Sequence, residues 1–149
     1  MTPEAIGILG LAICTVLCGV GSSIGLWLTG SAAAGVIADD GKKFSKVLIL
    51  VVLPATQGIY GFVCLFMVQG LLTAEISMFQ AAAVFGAGLL VGIVNLAAAI
   101  YQGKVCANGI AAIGNGHDVM GKTLILAAFP ELYAILTVAA TFLISNAVA

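Results

Sequence analysis

KVLILVVLPATQ, Lys46 to Gln57, and KTLILAAFPELY, Lys122 to Tyr133, read as one motif used twice. At an offset of 76 residues they pair lysine with lysine, share four of their first five residues and match Pro54 with Pro130; upstream, Ile37 falls on Ile113. Self-similarity at a fixed period is the mark of one supersecondary unit repeated. Each unit is a pair of long apolar runs, Ala5 to Leu28 with Val47 to Leu72, and Met78 to Tyr101 with Thr123 to Ser145. A hydrocarbon core about 30 Å thick needs roughly 20 apolar residues per helix, so each run is long enough to cross a bilayer. The expected fold is an all-α membrane protein of four transmembrane helices in two duplicated hairpins of the same orientation. It forms one membrane domain over residues 1–149, hairpin 1 at about 1–72 and hairpin 2 at about 78–149.

Composition agrees with that reading. The chain is 62% hydrophobic and 7% charged, far from the usual make-up of a soluble domain. A net charge of -1, with no basic patch interleaved with aromatics, argues against a nucleic-acid partner. No phosphate-binding loop, catalytic triad or metal-ligand cluster stands out, so a catalytic centre is not expected in this chain. The first apolar run carries Glu4 where a signal peptide would be positive and is too long for one, so it reads as a retained helix. Cys14, Cys18, Cys64 and Cys106 sit in or beside apolar runs, where cysteine acts as a small hydrophobe. The spacing of Cys14 and Cys18 could suit a metal, but no His or acid stands near them.

The five basic residues are all lysines, grouped as Lys42, Lys43 and Lys46 in one connection, with Lys104 and Lys122 flanking another. The positive-inside rule then puts the loops near 38–45 and 114–121 in the cytoplasm, and both termini outside a multi-pass chain in the cell membrane. His117, in the second of these loops, reads as a solvated residue or a stalk contact. Small residues crowd the first and third helices, with Gly21/Gly25 and Gly88/Gly92 at the spacing that lets helix backbones approach in lipid.

Glu131 is the only acid within a span; Glu4, Asp39, Asp40, Glu75 and Asp118 fall at ends or in loops. An intramembrane carboxylate costs several kcal/mol if left charged and alone, and its default reading is functional. Glu131 lies ten residues past Gly121, Gln57 twelve past Ser45 and Gln102 twelve before Gly114. By helical rise, all three are about 15 to 18 Å from the cytoplasmic loops. Leu53, Thr56, Gln57 and Tyr60 share one helix face at i, i+3, i+4, i+7. Pro54 and Pro130 stand at the same depth, where a mid-helix proline should strip the Leu50 or Leu126 carbonyl of its donor and make the backbone irregular. In the repeat, Ala55 stands opposite Glu131 and Leu26 opposite Gln102, so one site per chain is expected. One carboxylate with several neutral oxygens suits a hard monovalent cation; a surplus of amide and hydroxyl oxygens favours Na⁺ over H⁺.

Three segments carry a family resemblance. LPATQGIYGF (Leu53 to Phe62), YQGKVCANGI (Tyr101 to Ile110) and FPELYAIL (Phe129 to Leu136) resemble the motifs of the four-helix proteolipid subunit of bacterial V-type Na⁺-transporting ATPases, in the same order and on the same helices. The resemblance spans nearly the whole chain. It implies a protomer of a membrane rotor ring, turned against a stator by ATP hydrolysis in a separate peripheral sector. By that resemblance the ion-carrying carboxylate is Glu131, the Na⁺ ligands are Glu131, Thr56, Gln57, Gln102 and the backbone carbonyl of Leu53, and Tyr60 hydrogen-bonds the carboxylate. The implied partners are identical subunits, a stator membrane subunit bearing a basic residue, central stalk subunits and membrane lipid. Ala55, where the family motif has glycine, and Pro130, where it has a non-proline residue, depart from the pattern. The alternatives are the same rotor role coupled to H⁺, which needs Glu131 and Tyr60 but no amide ligands, and, more remotely, a small four-span antiporter. The acid of such antiporters lies in the first helix.

Overall fold

The computed structural model describes residues Met1–Ala149 as five α-helices and three short 3-10 turns, with no strand. They make four membrane-spanning segments: α1 (Pro3–Asp39), a composite second span (Gly41–Leu71), α4 (Met78–Gly114) and α5 (Met120–Val148). The second span comprises α2 (Phe44–Val52), a 3-10 turn at Leu53–Ala55 and α3 (Thr56–Val68). The apolar runs therefore mark the spans, as the sequence suggests, but α1 and α4 run on past Leu28 and Tyr101 to 37 residues each. At 1.5 Å per residue they are about 55 Å long, well beyond the hydrocarbon. Loss of apolar character shows where lipid ends, whereas alanine-rich continuations such as Ala32–Ala34 keep the backbone helical.

The helix ends are closed by side chains. Thr2 caps α1 by accepting from the Ala5 amide at 3.3 Å, with Pro3 in the first turn. Ser77 and Gln80 form a reciprocal capping box at the start of α4. The Gln80 amide also donates to the Val148 carbonyl at 2.8 Å, tying the end of α5 to the start of α4. At the opposite end Lys43 donates to the Gly114 carbonyl at 2.8 Å, so a lysine from the first hairpin satisfies the last carbonyl of α4.

The core is a seam of small residues between α1 and α4, the most extensive helix pair in the molecule. A Cβ on Gly103 would lie 2.7 Å from the Gly25 Cα, one on Gly21 2.7 Å from the Leu96 Cα, and one on Gly88 2.6 Å from the Gly10 carbonyl carbon. With no hydrophobic drive between helices in lipid, such backbone approach is what holds them together. The central helix is α4, with 44% of its apolar window buried against 22% for α5. Large apolar side chains such as Phe79, Leu143 and Ile125 are exposed, as the lipid-facing side of a membrane bundle requires.

The two prolines behave differently. Pro54 breaks the second span into a 3-10 turn, whereas α5 passes Pro130 as unbroken helix, so the expected irregularity is present at one proline and absent at the other. The physical difference lies in their surroundings. Pro54 is buried against α1, where a Cβ on Gly25 would stand 2.5 Å from the Pro54 Cβ. Pro130 lines an apolar cavity of about 480 Å³ with Tyr101, Phe129 and Tyr133. Pro54 is wedged against Gly25 on α1, whereas Pro130 faces open space.

Candidate functional site

Four donors converge on one carboxylate. The Glu131 Oε2 is 2.8 Å from the Gln57 amide nitrogen, 2.8 Å from the Gln102 amide nitrogen and 2.9 Å from the Thr56 hydroxyl. Its other oxygen, Oε1, accepts from the Tyr60 hydroxyl. Three of these groups come from α3 and one from α4, and the carboxylate projects from α5 to meet them. The equality of depth and the shared helix face read from the sequence therefore bring Glu131, Thr56, Gln57, Tyr60 and Gln102 together. Gln57 and Gln102 are fully enclosed, at 0% and 1% exposure, so neither amide can turn to water for its partners.

The break at Pro54 supplies a backbone oxygen. The Leu53 carbonyl is 2.8 Å from the Thr56 hydroxyl, which also lies against the carboxylate, so Leu53 O, Thr56 Oγ1 and Glu131 Oε2 form a row of oxygens. A hydroxyl has one proton and cannot donate to both neighbours at once. The Gln57 amide nitrogen also donates to the Gln102 Oε1 at 3.0 Å, and the Gln102 amide nitrogen to the Ala127 carbonyl at 3.0 Å. That last bond fixes which end of Gln102 is which, because of the two ends of a carboxamide only the nitrogen can donate to a carbonyl. The Gln57 nitrogen faces two acceptors, the Gln102 Oε1 and the carboxylate, and its own Oε1 is buried with no hydrogen-bond partner. Buried carboxamide oxygens are nearly always partnered, so this atom calls for a donor or a cation.

Several groups around the site were not legible as part of it. Thr29 on α1 donates to the Val51 carbonyl at 2.9 Å, and the Gly58 amide donates to the Ser22 hydroxyl at 2.8 Å. The carbonyls that receive side-chain donors from the preceding span are thus Val51 and Ala127, one residue on from the Leu50 and Leu126 positions expected from proline geometry. A second buried pair, Asn95 and Thr137, links α4 to α5 at 2.9 Å. Its signal was in the sequence: Asn95 is seven residues before Gln102, on the same face of α4. The four cysteines are buried thiols in the core, and the loop residue His117 is exposed.

The profile of the ATP synthase C-subunit family matches the chain twice, at residues 9–68 and 85–144, the second match beginning 76 residues after the first. The chain is 39% identical over 137 residues to the V-type sodium ATPase K subunit of Enterococcus hirae, covering 92% of this chain and 88% of that one. It is also 35% identical over 133 residues to the A-type ATP synthase K subunit of Methanocaldococcus jannaschii, covering 89% of this chain and 58% of that longer one.

Proposed function

The chain belongs to the ATP synthase C-subunit family, and from that premise we propose that it carries one Na⁺ per chain on Glu131 as a rotor ring turns. It is a proteolipid subunit of the rotor ring of a V/A-type ATPase, a multi-pass membrane protein without a catalytic centre of its own. The reading adds the cargo, its ligands and the route. Glu131, Thr56, Gln57, Gln102 and the Leu53 carbonyl hold the ion, and Tyr60 steadies the free carboxylate oxygen. A stator subunit supplies a basic residue that helps to expel the ion, and central stalk subunits turn the ring. Both termini lie outside, and the loops near 38–45 and 114–121 face the cytoplasm.

The observation that carries the choice of Na⁺ is the unpartnered Gln57 Oε1. A half-turn of that amide points its oxygen at the carboxylate cluster, where only a cation makes the contact favourable. The Gln102 oxygen already faces Gln57 while its nitrogen stays on Ala127. With the Leu53 carbonyl and Thr56, these make an oxygen shell with a single negative charge, which a monovalent cation neutralises. A proton on Glu131 would relieve the shortage of hydrogens at Thr56, but would leave the Gln57 oxygen without a partner. The relative named a V-type sodium ATPase subunit, from Enterococcus hirae, favours the same choice.

Neutralisation is also what makes the journey possible. A bare carboxylate facing lipid costs at least several kcal/mol, whereas an ion pair with satisfied ligands does not. The test is carbodiimide labelling of Glu131 in purified ring at fixed pH. Millimolar or lower Na⁺ should protect the carboxyl, and Gln57→Leu or Gln102→Leu should raise the half-protecting concentration by about tenfold or more without loss of the ring. Labelling indifferent to Na⁺ would favour H⁺ coupling; loss of the ring in both variants would mark the two amides as packing groups.

A further inference from the structure

We propose that Thr29, on α1 and outside the carboxylate cluster, is a positioning residue that holds the broken turn of the second span in the shape the ion site needs; this rests on the site reading above. Three observations support it. The first is the geometry of the hydroxyl itself. A helical threonine ordinarily donates back to its own helix, as exposed Thr15 does to Leu11 at 2.9 Å, and buried Thr141 to Thr137 at 2.9 Å and Thr137 to Ala134 at 2.7 Å. Thr29 departs from this: its own-helix carbonyls, Gly25 and Leu26, stand at 3.2 Å, while Val51 across the interface is at 2.9 Å. Its best acceptor is on another helix.

The second observation is why Val51 needs a donor. In an α-helix its carbonyl would receive the Ala55 amide, but Leu53–Ala55 is a 3-10 turn, in which each amide reaches back three residues instead of four. The residue three on from Val51 is Pro54, which has no N–H, so the 3-10 turn offers Val51 no backbone donor inside the membrane, where an unpaired carbonyl costs several kcal/mol. Thr29 is 0% exposed, so water does not compete for the hydroxyl. On the far side of the break the Gly58 amide is taken by Ser22, so α1 grips the turn from both ends. Between these grips lie Leu53, Thr56 and Gln57.

The third observation comes from the repeat. Val51 corresponds to Ala127 at the 76-residue offset, and the Ala127 carbonyl also accepts from a side chain on the first helix of its own hairpin, Gln102. Each half thus docks the carbonyl three residues before its proline onto a polar side chain of the preceding helix. In the second hairpin that side chain also reaches the carboxylate. In the first it does not, and its effect on the ion must pass through the backbone.

The test uses the purified ring with Thr29→Val, Thr29→Ser, and Thr15→Val as a control for hydroxyl loss on the same helix. Thr29→Val should assemble, exchange the amides of Ala55 to Gln57 faster by deuterium labelling, and need about tenfold more Na⁺ to protect Glu131; Thr29→Ser should restore both and Thr15→Val should change neither. Faster exchange with unaltered protection would reduce Thr29 to a structural contact and overturn the proposal, as would no change in either. Should wild-type ring itself show no Na⁺ protection, the sodium reading fails. The pH midpoint of carbodiimide labelling then replaces it as the readout, and an unshifted midpoint in Thr29→Val overturns the positioning role. If Thr29→Val does not assemble, Thr29→Ala is scored by the same measures, and failure of both valine and alanine rings would likewise show a purely structural role.

Discussion

A ring carrying Glu131→Gln is expected to assemble at normal yield and to transport no Na⁺ above background. Glutamine keeps the size of the side chain and one acceptor for Tyr60, Thr56 and the two amides, and Glu131 lies at the part-buried edge of the bundle, outside the tightly packed α1–α4 seam. Assembly should therefore survive. What is lost is the only charge within the membrane able to balance a cation. Without it the neutral oxygens must hold a bare Na⁺ at a depth where an uncompensated charge costs at least about 3 kcal/mol, which alone weakens loading by about two orders of magnitude. ATP-driven ²²Na⁺ uptake into vesicles reconstituted with the whole complex measures it; uptake near the wild-type rate would place the carrier elsewhere. Carbodiimide labelling should disappear in parallel.

The second large effect is on assembly. Gly88→Ala is expected to destabilise the protomer by about 3 kcal/mol, read as a lower temperature of half-dissociation of the purified ring. The added methyl meets the Gly10 carbonyl group, with its carbon at 2.6 Å, so both partners are backbone and no side chain can swing away. Relief requires the α1 and α4 backbones to part at that point. Gly86→Ala is the control: two residues away on the same helix, its Cβ has nothing within 4 Å inside the protomer. Equal melting of the two variants would show that the close approach of the helices is not what holds the protomer together.

Much of this was legible because a membrane helix obeys two simple measures, rise and period. Rise put Glu131, Gln57 and Gln102 at one depth, and period put Leu53, Thr56, Gln57 and Tyr60 on one face; the structure brings the side chains together within 3 Å or less. The different fates of the two prolines were not legible. Pro54 and Pro130 follow similar apolar runs, and what separates them is the space around each ring: Gly25 on α1 for one, the cavity beside Tyr101 and Tyr133 for the other. Thr29 was hidden for the same reason. Its importance comes from a carbonyl 22 residues away to which the turn at Pro54 offers no backbone donor. Asn95 and Thr137 are the opposite case, since two polar residues at matching depth on neighbouring helices carry the same signal as the acid and its amides, one level away from them.

On the proposed reading, the alanine that stands where the first hairpin could have held a second acid sets the gearing of the rotor. Ala55 occupies the repeat position of Glu131, so four helices are spent on each proposed carrier. A turn of the ring delivers an amount of work fixed by the nucleotide hydrolysed. Divided among half as many ions as a ring of two-helix subunits with the same number of helices would carry, it drives each one against twice the electrochemical difference. Such a rotor is a low gear, suited to pumping up a steep gradient and poorly suited to making ATP from a shallow one. Counting ions tests the ratio: saturated ring should hold one Na⁺ per chain, and two would remove the argument.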